Sequence, residues 1–119
     1  KILIVDGEKS ISELYKYSLE ELGYSVDLVD TGLSAIDYIR GTRPDLSILD
    51  VKLSDINGVK VLQQVKNEYP DMPVIMCTAY RQFEEYYERW TDKATEFYSY
   101  LTKPVDVSKL VSEVGRAIG

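Results

Sequence analysis

The feature that most limits how this chain can fold is the alternation of two hydrophobic periods. Ile2-Leu3-Ile4-Val5, Leu46-Ser47-Ile48-Leu49 and Val74-Ile75-Met76-Cys77 are short, nearly continuous apolar runs. Runs of this kind read as strands buried on both faces. Tyr24 to Val29 adds a strand with partial alternation, and Tyr98 to Leu101 a short fifth one. Between them, apolar residues recur at helical spacing. The first such segment holds Ile11, Leu14, Tyr15, Leu19 and Leu22 and is stopped by Gly23. The second carries Leu33, Ala35, Ile36 and Ile39, with Thr31 as a candidate N-cap and an end near Gly41. A third has Val61, Leu62, Val65 and Tyr69 and is closed by Pro70, a fourth holds Phe83, Tyr86, Tyr87 and Trp90, and a last one has Val107, Leu110, Val111, Val114 and Ile118.

Strands alternating with helices imply right-handed crossovers and a parallel sheet covered on both faces. The expected architecture is therefore α/β: a flavodoxin-like, doubly wound, five-stranded parallel sheet in the order 2-1-3-4-5 with five helices. The first and third strands are the most apolar and are expected near the centre.

At 119 residues the chain has room for one core. Its formal charge of −6 argues against a grip on a nucleic-acid backbone, which needs clustered Lys and Arg. No apolar stretch approaches a membrane span, and no secretory leader is expected, so a cytoplasmic location is the expectation. Cys77 is the lone cysteine and there is no histidine. That combination excludes an intrachain disulfide, a zinc cluster and a histidine-based triad. Chemistry has to come from carboxylates, hydroxyls, Lys and Arg.

Those groups fall at strand ends. Asp6 ends the first strand, Asp50 the third, Thr78 the fourth, and Thr102-Lys103 the fifth. In a doubly wound sheet the ligand crevice lies outside these ends. Neighbouring strands are ~4.8 Å apart, so the four side chains can converge. Two carboxylates at close range favour a hard dication such as Mg²⁺. A carboxylate is also a nucleophile toward phosphorus. A lysine and a hydroxyl complete a set suited to metal-assisted phosphoryl transfer onto an aspartate.

Five segments carry a resemblance over nearly the whole length: Lys1 to Asp6, Pro44 to Asp50, Asp55-Ile56-Asn57-Gly58, Cys77-Thr78-Ala79 and Tyr100-Leu101-Thr102-Lys103-Pro104. In this order the chain resembles the receiver domain of bacterial two-component response regulators. The resemblance implies one receiver domain over residues 1–119, cut from or part of a longer response regulator. It implies that Asp50 accepts a phosphoryl group from a sensor histidine kinase or phosphotransfer protein, and that Asp6, Asp50 and the backbone carbonyl of Lys52 hold Mg²⁺. Thr78 and Lys103 would bind the phosphoryl oxygens, and Tyr100 would swing inward as Thr78 moves. Enzymatic action would be limited to the domain's own phosphorylation and autodephosphorylation.

The sequence also departs from the family pattern. The family has two adjacent acids after the first strand, and here the second is Gly7. Weakened Mg²⁺ binding is the expected result. Glu8 is within reach of the site, at a position that is not an ordinary ligand. Ser54 replaces a frequent Pro, and the Thr78 to Lys103 interval is a few residues longer than usual. The extra length falls around an aromatic surplus of Phe83, Tyr86, Tyr87, Trp90 and Tyr98. Aromatic residues are favoured at interfaces, so this surplus suggests a surface for an output domain or a homodimer. Gly7 also motivates an alternative, a phosphorylation-independent, receiver-like interaction module. For a phosphatase the chain lacks a second acid two residues after Asp50, where Lys52 stands, and for a flavin carrier it lacks a Gly/Ser/Thr-rich phosphate loop after the first strand.

Overall fold

The structure, a computed structural model, describes residues 1–79 and 99–119. Its strands are β1 (Ile2–Val5), β2 (Val26–Val29), β3 (Leu46–Asp50), β4 (Val74–Thr78) and β5 (Ser99–Thr102). The helices among the described residues are α1 (Lys9–Glu20), α2 (Gly32–Thr42), α3 (Gly58–Glu68) and α4 (Val107–Ile118). The sheet is parallel throughout, in the order β2-β1-β3-β4-β5, which is the expected order. The aromatic helix expected around Phe83, Tyr86, Tyr87 and Trp90 lies outside the described residues, as does Tyr98. β2 starts at Val26 and not at Tyr24, because the chain is still leaving α1 through Gly23, whose φ of 95° suits a residue without a Cβ.

Alternation along the strands sorts the core into two layers. Leu3, Val5, Leu49, Val74 and Met76 point to the side covered by α2 and α3. Ile2, Ile4, Leu46, Ile48, Ile75 and Cys77 point to the side covered by α1 and α4. β1, β3 and β4 are buried at every position, consistent with their continuous apolar runs. Fully burying each aliphatic side chain of this kind contributes about 1.5–3 kcal/mol. Local signals set where the helices start. Thr31 accepts from Ser34 N–H, Asn57 from Val59 N–H and Asp106 from Ser108 N–H. Each bond satisfies an amide that the helix itself leaves unpaired.

One tight approach positions the site. The Gly58 N–H donates to the Val51 carbonyl at 2.7 Å, folding the segment after β3 back on itself. A Cβ at Gly58 would lie 1.9 Å from the Asp50 carbonyl oxygen and 2.8 Å from Val51 Cα, both backbone atoms. Only glycine fits. Gly58→Ala is expected to destabilise the fold by about 3 kcal/mol. Gly115→Ala, inside α4 with open space where its methyl would go, is expected to stabilise it by up to about 1 kcal/mol. Urea denaturation of both variants checks the opposite signs.

Candidate functional site

The C-terminal rim of the sheet gathers the reactive residues by register. Val5 pairs with Leu49, so Asp6 and Asp50 follow at the same level on adjacent strands. Asp50 pairs with Cys77, which places Thr78 one step further out, and Thr78 pairs with Thr102 just before Lys103. The Lys103 N–H donates to the Thr78 carbonyl at 2.7 Å, continuing the ladder past the strand end. From there the Lys103 ammonium reaches back across the rim. Its Nζ lies 3.1 Å from Asp6 Oδ2 and 3.0 Å from Asp50 Oδ2.

The remaining carboxylate oxygens are held by backbone. Asp6 Oδ1 accepts from Glu8 N–H at 2.9 Å, and Asp50 Oδ1 accepts from Lys52 N–H at 3.3 Å. Asp6, Asp50 and Thr78 are buried polar residues. A cavity of about 290 Å³ opens above them, lined by Asp6, Gly7, Glu8, Asp50, Lys52, Thr78, Ala79 and Lys103. Asp6, Asp50, Lys52, Thr78 and Lys103, all singled out in the sequence, therefore border one space. Tyr100 does not. It is half-buried against the α2/α3 side of the core and borders a separate cavity with Thr102, Pro104 and Lys109.

A family model described as the response regulator receiver domain matches residues 2–115. The chain belongs to that family. Among curated relatives, it is 35% identical over 115 residues to the regulatory protein LuxO of Vibrio vulnificus, covering 97% of this chain and 25% of LuxO. It is 32% identical over 114 residues to the response regulator MprA of a Mycobacterium species, covering 96% of this chain and 48% of MprA. The chain thus spans about a quarter to a half of these relatives' length. Among solved structures, the receiver domain of NtrX from Brucella abortus superposes with a TM-score of 0.86 at 27% identity, covering 99% of this chain and 98% of that one. A CheY-like receiver domain from Methanospirillum hungatei gives 0.87 at 28% identity, with coverages of 97% and 90%.

In this receiver domain the electrostatics at the rim are set by burial against pairing. Burial pushes the Asp50 carboxyl above the usual carboxylate range, helped by the Asp6 charge, while the Lys103 hydrogen bond and charge pull the other way. Burial also disfavours the Lys103 cation, but the hydrogen bonds and charges of Asp50 and Asp6 outweigh it and raise the ammonium's pKa. Lys103 therefore stays charged at neutral pH. Cys77, paired across the ladder with Asp50, is buried and its thiol is pushed up to about 12 by that burial, so it packs as a small apolar core residue.

Two residues of the Asp55-Ile56-Asn57-Gly58 segment support the site in ways the sequence did not specify. Gly58 is needed by the steric approach to the Asp50 carbonyl. Asp55 accepts from the Gly32 and Leu33 N–H groups, each at 2.9 Å, and so ties the loop after β3 to the start of α2. Its partners are 23 and 22 residues away, beyond any local capping pattern.

A carboxyl whose folded pKa is raised is most favourable to stability below its unfolded pKa. That contribution is lost as pH rises through the folded value. At neutral pH the ionised Asp50 is therefore a cost, which Asp50→Asn removes. With EDTA present, Asp50→Asn is expected to melt at a higher temperature than wild type at pH 7. The gain should shrink as pH falls into the ordinary carboxylate range, as calorimetric melting across pH can establish.

Proposed function

We propose that this receiver domain is a phosphoacceptor switch, with Asp50 taking a phosphoryl group from a sensor histidine kinase or phosphotransfer protein. The carrying observation is the placement of the Asp50 carboxylate at the floor of an open cavity, 3.0 Å from a charged lysine and beside a second buried carboxylate. An Asp50 oxygen attacks phosphorus and the N–P bond of the donor phosphohistidine breaks. The imidazole leaves with the bond electrons and takes up a proton, and Asp50 becomes an acyl phosphate.

The chain's own residues supply most of the electrostatics. The product carries about −1.5 to −2 charges where Asp50 carried −1. Lys103 is already at the acceptor oxygen and can pair with the incoming phosphoryl group. Thr78 borders the same cavity and offers its hydroxyl. The donor set also fits a hard dication: Asp6 and Asp50 line one cavity with their carboxylates, and Lys52 lines it too, where its backbone carbonyl would be the third oxygen donor. Mg²⁺ bound there would neutralise the phosphoryl oxygens. Phosphate then acts as a switch by favouring one of two conformations, and reversing a 1:99 population needs roughly 5.5 kcal/mol of differential interaction. Contacts from Lys103 and Thr78 supply part of it.

Gly7 supports the second reading, a partner-docking module that works without phosphate. The site then has one carboxylate fewer than the family's pattern. A Cβ at Gly7 would meet only the Asp30 carbonyl oxygen, at 4.0 Å, so the fold itself does not demand glycine there.

Incubation with acetyl phosphate and Mg²⁺, read by intact mass, separates the two readings. A gain of one phosphoryl mass in wild type and none in Asp50→Ala is expected. An unchanged wild-type mass would favour the phosphate-independent module. Gly7→Asp is expected to tighten Mg²⁺ binding about tenfold in a calorimetric titration, because ligand charge count tunes affinity for such ions.

A further inference from the structure

We infer that Glu8 supplies the carboxylate that Gly7 lacks, acting as a replacement Mg²⁺ ligand from one position further along the chain. The inference rests on the phosphoacceptor reading above. Three observations converge on Glu8.

Its backbone is anchored to the site, since the Glu8 N–H donates to Asp6 Oδ1 at 2.9 Å. The residue lines the same cavity as Asp6, Asp50 and Lys52. And among the described residues no hydrogen bond or ion pair employs its carboxylate. Glu8 is the N-cap of α1, a position where Ser, Thr, Asp or Asn normally accepts a hydrogen bond, yet it makes no side-chain cap bond. Among the described residues no ion pair engages it.

Charge arithmetic gives the reason. Asp6 and Asp50 contribute −2, and Lys103 between them returns +1, leaving −1 for a dication. Glu8 brings the total to −2. The described acidic side chains do not form a ready three-carboxylate cage. The exposed Glu8 side chain closes one by rotating about its own torsions between staggered wells. The Gly7 position leaves open space beside it, since a Cβ there would have one neighbour, at 4.0 Å. A glutamate is longer than an aspartate by one methylene, which suits a ligand set back by one residue.

The competing explanation is that Glu8 only complements the positive end of α1. That role affects folding stability and leaves metal affinity alone. The test is calorimetric titration of Mg²⁺, with Mn²⁺ paramagnetic resonance as a second readout, on the unphosphorylated chain. Glu8→Gln is expected to bind about tenfold more weakly than wild type, and Glu8→Gln combined with Gly7→Asp to recover the loss. Thermal melting in EDTA should show the Glu8→Gln variant folded. Equal affinity of wild type and Glu8→Gln overturns the inference, as does a wild type that binds neither ion. The phosphoacceptor reading fails on different results, an unchanged wild-type mass with acetyl phosphate or retention of the phosphoryl mass by Asp50→Ala, so the two failures are distinguishable.

Discussion

A single ammonium group holds the functional end of this sheet together. Among the described residues Lys103 is the one cation paired with both Asp6 and Asp50, and both carboxylates are buried. Two such charges on adjacent strands repel, and each loses solvation. Removing the cation from a buried pair of this kind typically costs about 3–5 kcal/mol, because it leaves charge uncompensated. The strands are thus joined at their ends by electrostatics as well as by the backbone ladder. If Asp50 is phosphorylated as proposed, the same cation is the ready partner for the phosphoryl group. Stability and reactivity draw on one interaction, so a ligand that recruits Lys103 changes the balance at Asp6 too.

This arrangement explains why so much of the site was legible in the sequence. In a parallel sheet the apolar run fixes the strand, and the first polar residue after it marks the rim. Asp6, Asp50 and Thr78 were readable for that reason. Lys103 was readable because β5 is short and Pro104 follows immediately. The strand order followed from the strict alternation and from the apolar character of β1 and β3.

What escaped the sequence depends on contacts between distant segments. Asp55 looks like an ordinary loop acid, and its bonds to Gly32 and Leu33 exist only once α2 has packed on the sheet. Gly58 reads as a turn glycine, whereas its necessity comes from the nearby Asp50 carbonyl. The start of β2 was misplaced by two residues because Tyr24 has strand propensity while the chain there is still turning out of α1.

The segment between β3 and α3 is joined at its ends by the Gly58 N–H to the Val51 carbonyl and tied at Asp55 to the first amides of α2. A loop closed in this way has little slack and behaves as a fixed jaw. The cavity above Asp50 takes none of its lining from α2 or α3. Its walls come from the ends of β1, β4 and β5, with Lys52 at the edge. Under the proposed reading, a phosphoryl donor would therefore meet Asp50 from the side away from α2 and α3, past Gly7, Glu8 and Ala79.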